Sequence, residues 1–421
     1  MAMSEPSIFS LTTTRNGRFL LFGVLYFAQG AIATYVLVFN NLYLRAFGAA
    51  AWQLSLLNGL LVVPFILKIV IGLLSDKVKL RLPLFGTGYR RPYISLGLLL
   101  ISVGGIAAAF VPPVEMYPLF VITALFIALG LAIYDTVADG YAIDVTPPEE
   151  QGQIQGVMVV SRAMGLLLLA SVYGRIIEQY GWTAIFVVVA LLTLLPQILL
   201  RFTREPAERS ATQTFSWTAL RRLWRPDIFR FGMYAIVYSV AIYGANAIVT
   251  LFANEGLGQS LVEVGDVAAL GGIGMVLGGA VATYAIRRPN ISIWQQGMWT
   301  AVGVFSILML MALVATESNI MIMFVLWGIW LSASELIYIT LAMAKADRRM
   351  GAGQYAIFMA ISNVGVGIGQ SASTSLVDTV DFRWIFVGLA VVSLLSFPLL
   401  AAMRQDDARD PNPLLTAVSG S

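Results

Sequence analysis

Three aspartates pose the question of function. The stretch AIYDTVADGYAIDVTPPEEQG, residues 132–152, sets Asp135, Asp139 and Asp144 beside long apolar runs. Asp135 and Asp139 are four residues apart, so on a helix they share a face, about 6 Å apart along its axis. Ionisable groups at membrane depth are costly, and they mark proton or solute pathways or pair with a cation. Asp135 fits a proton or solute site. Asp139 and Asp144, nearer the helix end, also fit gates that pair with arginines at the membrane face. Arg162 lies about nine residues, or ~13 Å, into the next apolar run. An arginine at that depth costs at least ~2.5 kcal/mol unless it is paired or faces water. Its planar fork suits a bound carboxylate or phosphate, and equally a fixed ion pair with Asp135 or Asp139. Glu335 sits within WLSASELIYIT. The chain has no histidine and no cysteine. Proton exchange therefore falls to carboxylates, lysine or tyrosine, and thiolate metal sites and disulfides are excluded.

Other polar groups lie inside apolar runs. Lys68, in PFILK, reads best as a side chain snorkelling toward the headgroups. Gln29, Asn58, Asn246 and Gln370 are amides that either bond a solute or join helices. Glycine-rich stretches, GGIGMVLGG at 271–279 and GVGIGQSAS at 365–373, suit close helix packing rather than phosphate binding, because neither follows a strand.

The elements that must position these residues are membrane helices. Of the 421 residues, 58% are hydrophobic and only 12% charged, against about 25% charged in a soluble domain. Apolar runs of about 20 residues recur. The pattern predicts twelve spans at 19–42, 52–75, 93–112, 117–142, 153–175, 183–202, 229–252, 262–286, 292–314, 319–344, 353–375 and 384–403. The expected organisation is an N-terminal segment 1–18, a six-helix bundle 19–202, a central loop 203–228, a second bundle 229–403 and a tail 404–421. With the termini on the cytoplasmic side, 21 of the 26 lysines and arginines fall inside, and only Arg45, Arg175 and Arg383 fall in outside loops. The halves echo each other: YRRPYIS at 89–95 and IRRPNIS at 286–292, GQ at 152–153 and 353–354. Internal duplication of this kind is typical of secondary transporters. The repeat places Glu335 opposite Asp135 and Asn363 opposite Arg162. Asp135 and Glu335 are therefore the proton-coupling candidates, and the site is expected to be asymmetric.

Span two ends GLLSDKVKLRLPLFGTGYRRPYI. Its Gly72, Leu74, Asp76, Gly88, Arg90 and Arg91 resemble the loop 2–3 signature of the major facilitator superfamily, with an insertion between Asp76 and Arg90. YFAQG at 26–30, VVPFILKIVIGLLSD at 62–76 and SRAMG at 161–165 are similar to the folate–biopterin transporters. The run from Asp135 to Gly152 resembles the bacterial muropeptide permeases. The resemblance implies an all-α integral membrane fold of twelve helices in two pseudo-symmetric bundles that rock around a central site. It also implies a cytoplasmic latch of Asp76, Arg90 and Arg91, and a cavity lined by spans one and seven. That makes Gln29 and Asn246 solute-binding candidates beside Arg162 and Asn363.

The expected function is secondary active transport of a small polar organic solute, anionic and muropeptide-like or pterin-like, coupled to protons or Na⁺. The expected setting is a monomer in the cell's inner membrane, with no cofactor and no nucleic-acid partner. The competing reading is a non-transporting assembly or sensor factor built on a transporter fold, for which the polar residues would pair with one another in a dry interior. An enzyme is the weakest reading, because the usual metal ligands and nucleophiles are missing.

Overall fold

The structure, a computed structural model, describes residues 10–83, 85–205, 226–288, 291–345 and 352–409. Parts of the expected N-terminal segment (1–9), central loop (206–225) and tail (410–421) lie outside the described residues. Among the described residues, twelve long helices follow one another. In the first half they are α1 (Arg15–Ala46), α2 (Ala51–Lys77), α3 (Arg91–Ala108), α4 (Tyr117–Val145), α5 (Gln151–Tyr180) and α6 (Trp182–Leu200). In the second they are α7 (Ile228–Gly256), α8 (Leu261–Ile286), α9 (Ile293–Val314), α10 (Ile320–Lys345), α11 (Ala352–Ser375) and α12 (Phe382–Gln405). All but α11 are long and apolar enough to cross a membrane. Helix α11 is 24 residues long, and Asn363, Gln370 and its serines make it more polar than the rest. That composition suits a helix facing the bundle interior.

Two local departures from the expected spans have plain causes. The second span is broken at Leu67, between Ala51–Ile66 and Lys68–Lys77. Pro64 lies just before the break and has no N–H to continue the helical ladder. The insertion between Asp76 and Arg90 is a small antiparallel hairpin, β1 (Leu80–Leu82) and β2 (Gly86–Gly88), with Arg81 opposite Thr87. Gly86 takes φ of +83°, which favours glycine at the turn.

The packing repeats between halves. Helix α1 packs on α5 as α7 packs on α11, and α2 on α4 as α8 on α10. The halves meet along two seams, α5 with α8 and α2 with α11. The α1–α5 contact brings backbone against backbone. A Cβ built on Gly30 would lie 2.1 Å from the Arg162 carbonyl oxygen, and one on Gly165 would lie 2.1 Å from the Phe27 carbonyl oxygen. Only glycine admits that approach, and it fixes where Arg162 stands relative to Gln29.

The two ends of the bundle differ. At the end opposite the termini, polar ties cross between halves. Arg45 of α1 donates to Glu255 at 2.7 and 3.0 Å and to Asp378 at 2.7 Å. Asp378 also accepts from the Ala51 backbone N–H at 2.6 Å. Arg175 of α5 forks onto Asp266 of α8 at 2.8 and 3.1 Å. The Asn58 amide bonds Asn41 at 2.9 Å, and Asn41 donates to the Ala247 carbonyl at 2.9 Å. At the end bearing the termini, the ion pairs Arg18–Glu150, Arg90–Asp76 and Arg90–Asp144 stay within the first half. The outer amides Asn41 and Asn58 thus join helices, one of the two roles expected of such groups.

The Ala51 N–H, and then the Arg45 guanidinium, hold the Asp378 carboxyl below the usual carboxylate range. Its charged tie is therefore complete at neutral pH and is lost only as pH falls through that lowered value.

Two outcomes follow. Gly30→Ala should lower stability by about 1–3 kcal/mol, the usual range for overpacking. Gly156→Ala, on α5 with no atom within 4 Å of the added Cβ, should be neutral or better in the same thermal unfolding series; equal midpoints for the two variants would contradict the seam. Because the chain lacks cysteine, an Ala247→Cys reporter labels cleanly. Maleimide labelling from the face opposite the termini should rise several-fold when Arg45→Ala is added, and unchanged labelling would show that Arg45 does not seal that end.

Candidate functional site

The central polar cluster is built from the first helices of each half facing the fourth. Asp135 of α4 is 8% exposed and is held from three sides. It accepts from the Gln29 amide of α1, pairs with Lys68 of α2, and has an Arg162 guanidinium nitrogen of α5 at 3.9 Å. One turn on, Asp139 is exposed toward the interior and accepts from the Tyr26 hydroxyl of α1. Tyr26 and Gln29 are three residues apart and Asp135 and Asp139 four, so each pair shares one helix face and the two faces meet.

The second half repeats this scheme with different residues. Glu335 of α10 accepts from the Tyr243 hydroxyl of α7 at 3.0 Å, as Asp135 of α4 accepts from Gln29 of α1. The Arg162 side chain lies deep between the halves yet is 50% accessible, and that of Lys68 is 32% accessible. Both cations and Asp139 thus keep accessible surface within the cluster.

Several expected placements change. Lys68 does not reach for the headgroups. The break at Leu67 starts a new helix at Lys68 and directs its ammonium inward onto Asp135, and the pairing offsets part of the desolvation cost of both charges. Asp139 does not meet an arginine at the membrane face, because it sits one turn too deep; its partner is Tyr26. Asp144 does meet one. Arg90, 4% exposed, bridges Asp144 and Asp76 at 2.7 Å each and donates to Ser75 at 3.1 Å. Arg91 stands apart from that set on the other side of the α3 start. Asn363 spans the α2–α11 seam, its amide donating to the Phe65 carbonyl at 3.0 Å. Asn246 is half-buried on α7 and has no side-chain hydrogen bond among the described residues. Gln370 is half-buried on α11.

Sequence reasoning missed Tyr26, Tyr243 and Glu205. The helical spacing of Tyr26 to Gln29 within YFAQG was a usable signal for the first. Glu205 accepts from the backbone N–H groups of Tyr89, Arg90 and Arg91 at 2.8, 3.0 and 2.6 Å, closing the α3 N-terminus from 114 to 116 residues away. No local pattern announces that contact.

The shared ion cluster has a measurable signature. Asp135→Asn should destabilise the protein by on the order of 2–5 kcal/mol, because it leaves two cations without their buried counter-charge. Lys68→Met should cost less than half of that, since Arg162 remains. The double variant should be less harmful than the sum, with a coupling of about 0.5–3 kcal/mol; strict additivity in thermal unfolding would mean that the pair does not interact.

With this geometry described, comparison with known proteins is informative. A curated relative, the folate–biopterin transporter of Synechocystis sp. (strain ATCC 27184 / PCC 6803 / Kazusa), is 30% identical over 175 residues, 41% of this chain. The match spans only 34% of that relative's own length. Among solved structures, a bacterial homolog of the human lysosomal transporter Spinster, in an inward-facing and occupied conformation, superposes with a TM-score of 0.68 at 16% identity, covering 93% of this chain and 96% of that one. The nucleoside transporter NupG, solved as a mutant, gives a TM-score of 0.76 at 12% identity, covering 92% and 99%. At these identities the likeness is one of fold. The sequence profile of the Major Facilitator Superfamily matches residues 18–355, and this chain, a multi-pass membrane protein with the fold of a solute transporter, belongs to that superfamily.

Proposed function

We propose that the protein moves a small anionic organic solute of the pterin or folate kind by alternating access, with protons as the coupling ion. Membership of the superfamily supports solute transport as the general activity and does not favour the non-transporting alternative. The observation that carries the finer reading is the half-accessible Arg162 fork beside Asp135.

Charge counting supports the coupling. With every group ionised, Lys68 and Arg162 stand against Asp135, Asp139 and Glu335, a net charge of about −1 in a low-dielectric interior. An incoming carboxylate adds negative charge there. Its entry is favourable when it takes over Arg162 and a proton neutralises one of the three carboxylates. Asp135 and Glu335, each held by a donor from the first helix of its half, are the proton-coupling groups in this reading. Gln29 and Asn246 supply hydrogen bonds to the solute. Asn363, already bonded across the seam, shapes the site's edge. The pterin side of the reading rests on the folate–biopterin relative, and a muropeptide-like solute is its alternative.

The two ends supply the gates. The excess of basic residues supports a cytoplasmic position for the end bearing the termini. In this reading Arg45, Glu255 and Asp378 close the outer end. Asp76, Arg90 and Asp144 form the inner latch, which clamps α2, α3 and α4 together.

The test is transport by purified protein in liposomes, with pterins, folates, muropeptides, sugars and organic acids outside and a pH dye inside. A pterin-class solute should drive proton entry. Arg162→Ala should lower the rate on the order of 30-fold or more, the equivalent of ~2 kcal/mol of lost charge-assisted binding. Asp135→Asn and Glu335→Gln should retain solute exchange while losing the response to a pH gradient. Full pH-driven uptake by both carboxylate variants would overturn the coupling, and normal rates with Arg162→Ala would overturn the anion site.

A further inference from the structure

A second polar cavity lies well away from the central cluster, at the end bearing the termini. It encloses about 750 Å³ between the hairpin, the start of α3 and the end of α6. Arg91, Arg201 and Arg204 line it together. Among the described residues, no carboxylate stands within ion-pair distance of any of the three guanidiniums. Glu205 is the acidic group present, and its two oxygens are committed to the backbone N–H groups that open α3. The cavity wall is thus an excess of positive charge.

Three guanidiniums with no facing carboxylate leave a wall that suits an anionic oxygen group. Phe85 and Leu200 add an apolar edge. The hairpin that closes the cavity is the insertion by which this chain departs from the superfamily signature, so the cavity belongs to the insertion.

We infer that this cavity binds an anionic phosphate group on the Arg91, Arg201 and Arg204 guanidiniums. Guanidinium forks match phosphate oxygens bidentately, and basic pockets at the cytoplasmic end of membrane helices suit anionic headgroups. The same group occurs on an anionic phospholipid and on a soluble glycerol phosphate. The site goes beyond the transport reading and needs none of the central residues.

The experiment uses the purified full-length protein in neutral detergent and reads the thermal unfolding midpoint during titration. The ligands are short-chain phosphatidylglycerol, short-chain phosphatidylcholine and glycerol 3-phosphate. Phosphatidylglycerol should raise the midpoint and phosphatidylcholine should not. The concentration for half the effect should rise at least tenfold in Arg201→Gln/Arg204→Gln, whose substitutions are exposed and outside the transport site. If the double variant does not purify folded, Arg201→Gln alone serves, with a several-fold weakening expected. A response to glycerol 3-phosphate that is lost in the variant assigns the group to a soluble ligand; a response to the lipid alone assigns it to the membrane. No response in the wild type, an equal response to phosphatidylcholine, or an unchanged titration in the arginine variants overturns the site.

Discussion

Holding charge inside a low-dielectric slab is the constraint around which this molecule is arranged. An isolated arginine or aspartate there is expensive, so each buried charge is answered by another or by a fixed donor. Asp135 is the hub. It receives Gln29, Lys68 and Arg162 from three different helices, and those helices are thereby set around one point. Breaking the second span at Leu67 supplies the lysine, and the glycine seam between α1 and α5 supplies the arginine. Asp144 and Asp76 share a single buried arginine in the same way at the membrane face.

The duplicated halves keep the geometry and vary the chemistry. In each half a group on the first helix donates to a carboxylate on the fourth, Gln29 to Asp135 and Tyr243 to Glu335. The cations, however, come from the first half alone. In the proposed reading a solute meets both cations on one side and the Glu335 carboxylate with its Tyr243 hydroxyl on the other. The seams differ too: ionic ties join the halves at the end opposite the termini, while the ion pairs at the other end hold the first half to itself.

Much of this was legible in the sequence, because membrane helices announce themselves by length and polarity. The fourth span was expected at 117–142 and runs Tyr117–Val145. The shared face of Asp135 and Asp139 follows from helical spacing alone. What was not legible depended on contacts distant in the chain. Arg45 finds Glu255 and Asp378 at separations of 210 and 333 residues, and nothing local to any of the three marks the meeting. Lys68 was misread because the effect of Pro64 on helix direction has no local signature in the run of apolar residues. The hairpin was passed over because three-residue strands lie below any pattern a sequence displays.

The backbone seam between Gly30 and Gly165 has a mechanical meaning. With main chain against main chain there is no side-chain padding to yield, so α1 and α5 behave as one stiff lever. Gln29, Tyr26 and Arg162 ride on it at fixed spacing, while Glu335 and Tyr243 ride on the opposing half. Under the proposed alternating access, a cargo gripped only by the lever would travel with it unstrained, whereas one that also touches Glu335 would become a strut between the halves, its length setting how far they can part.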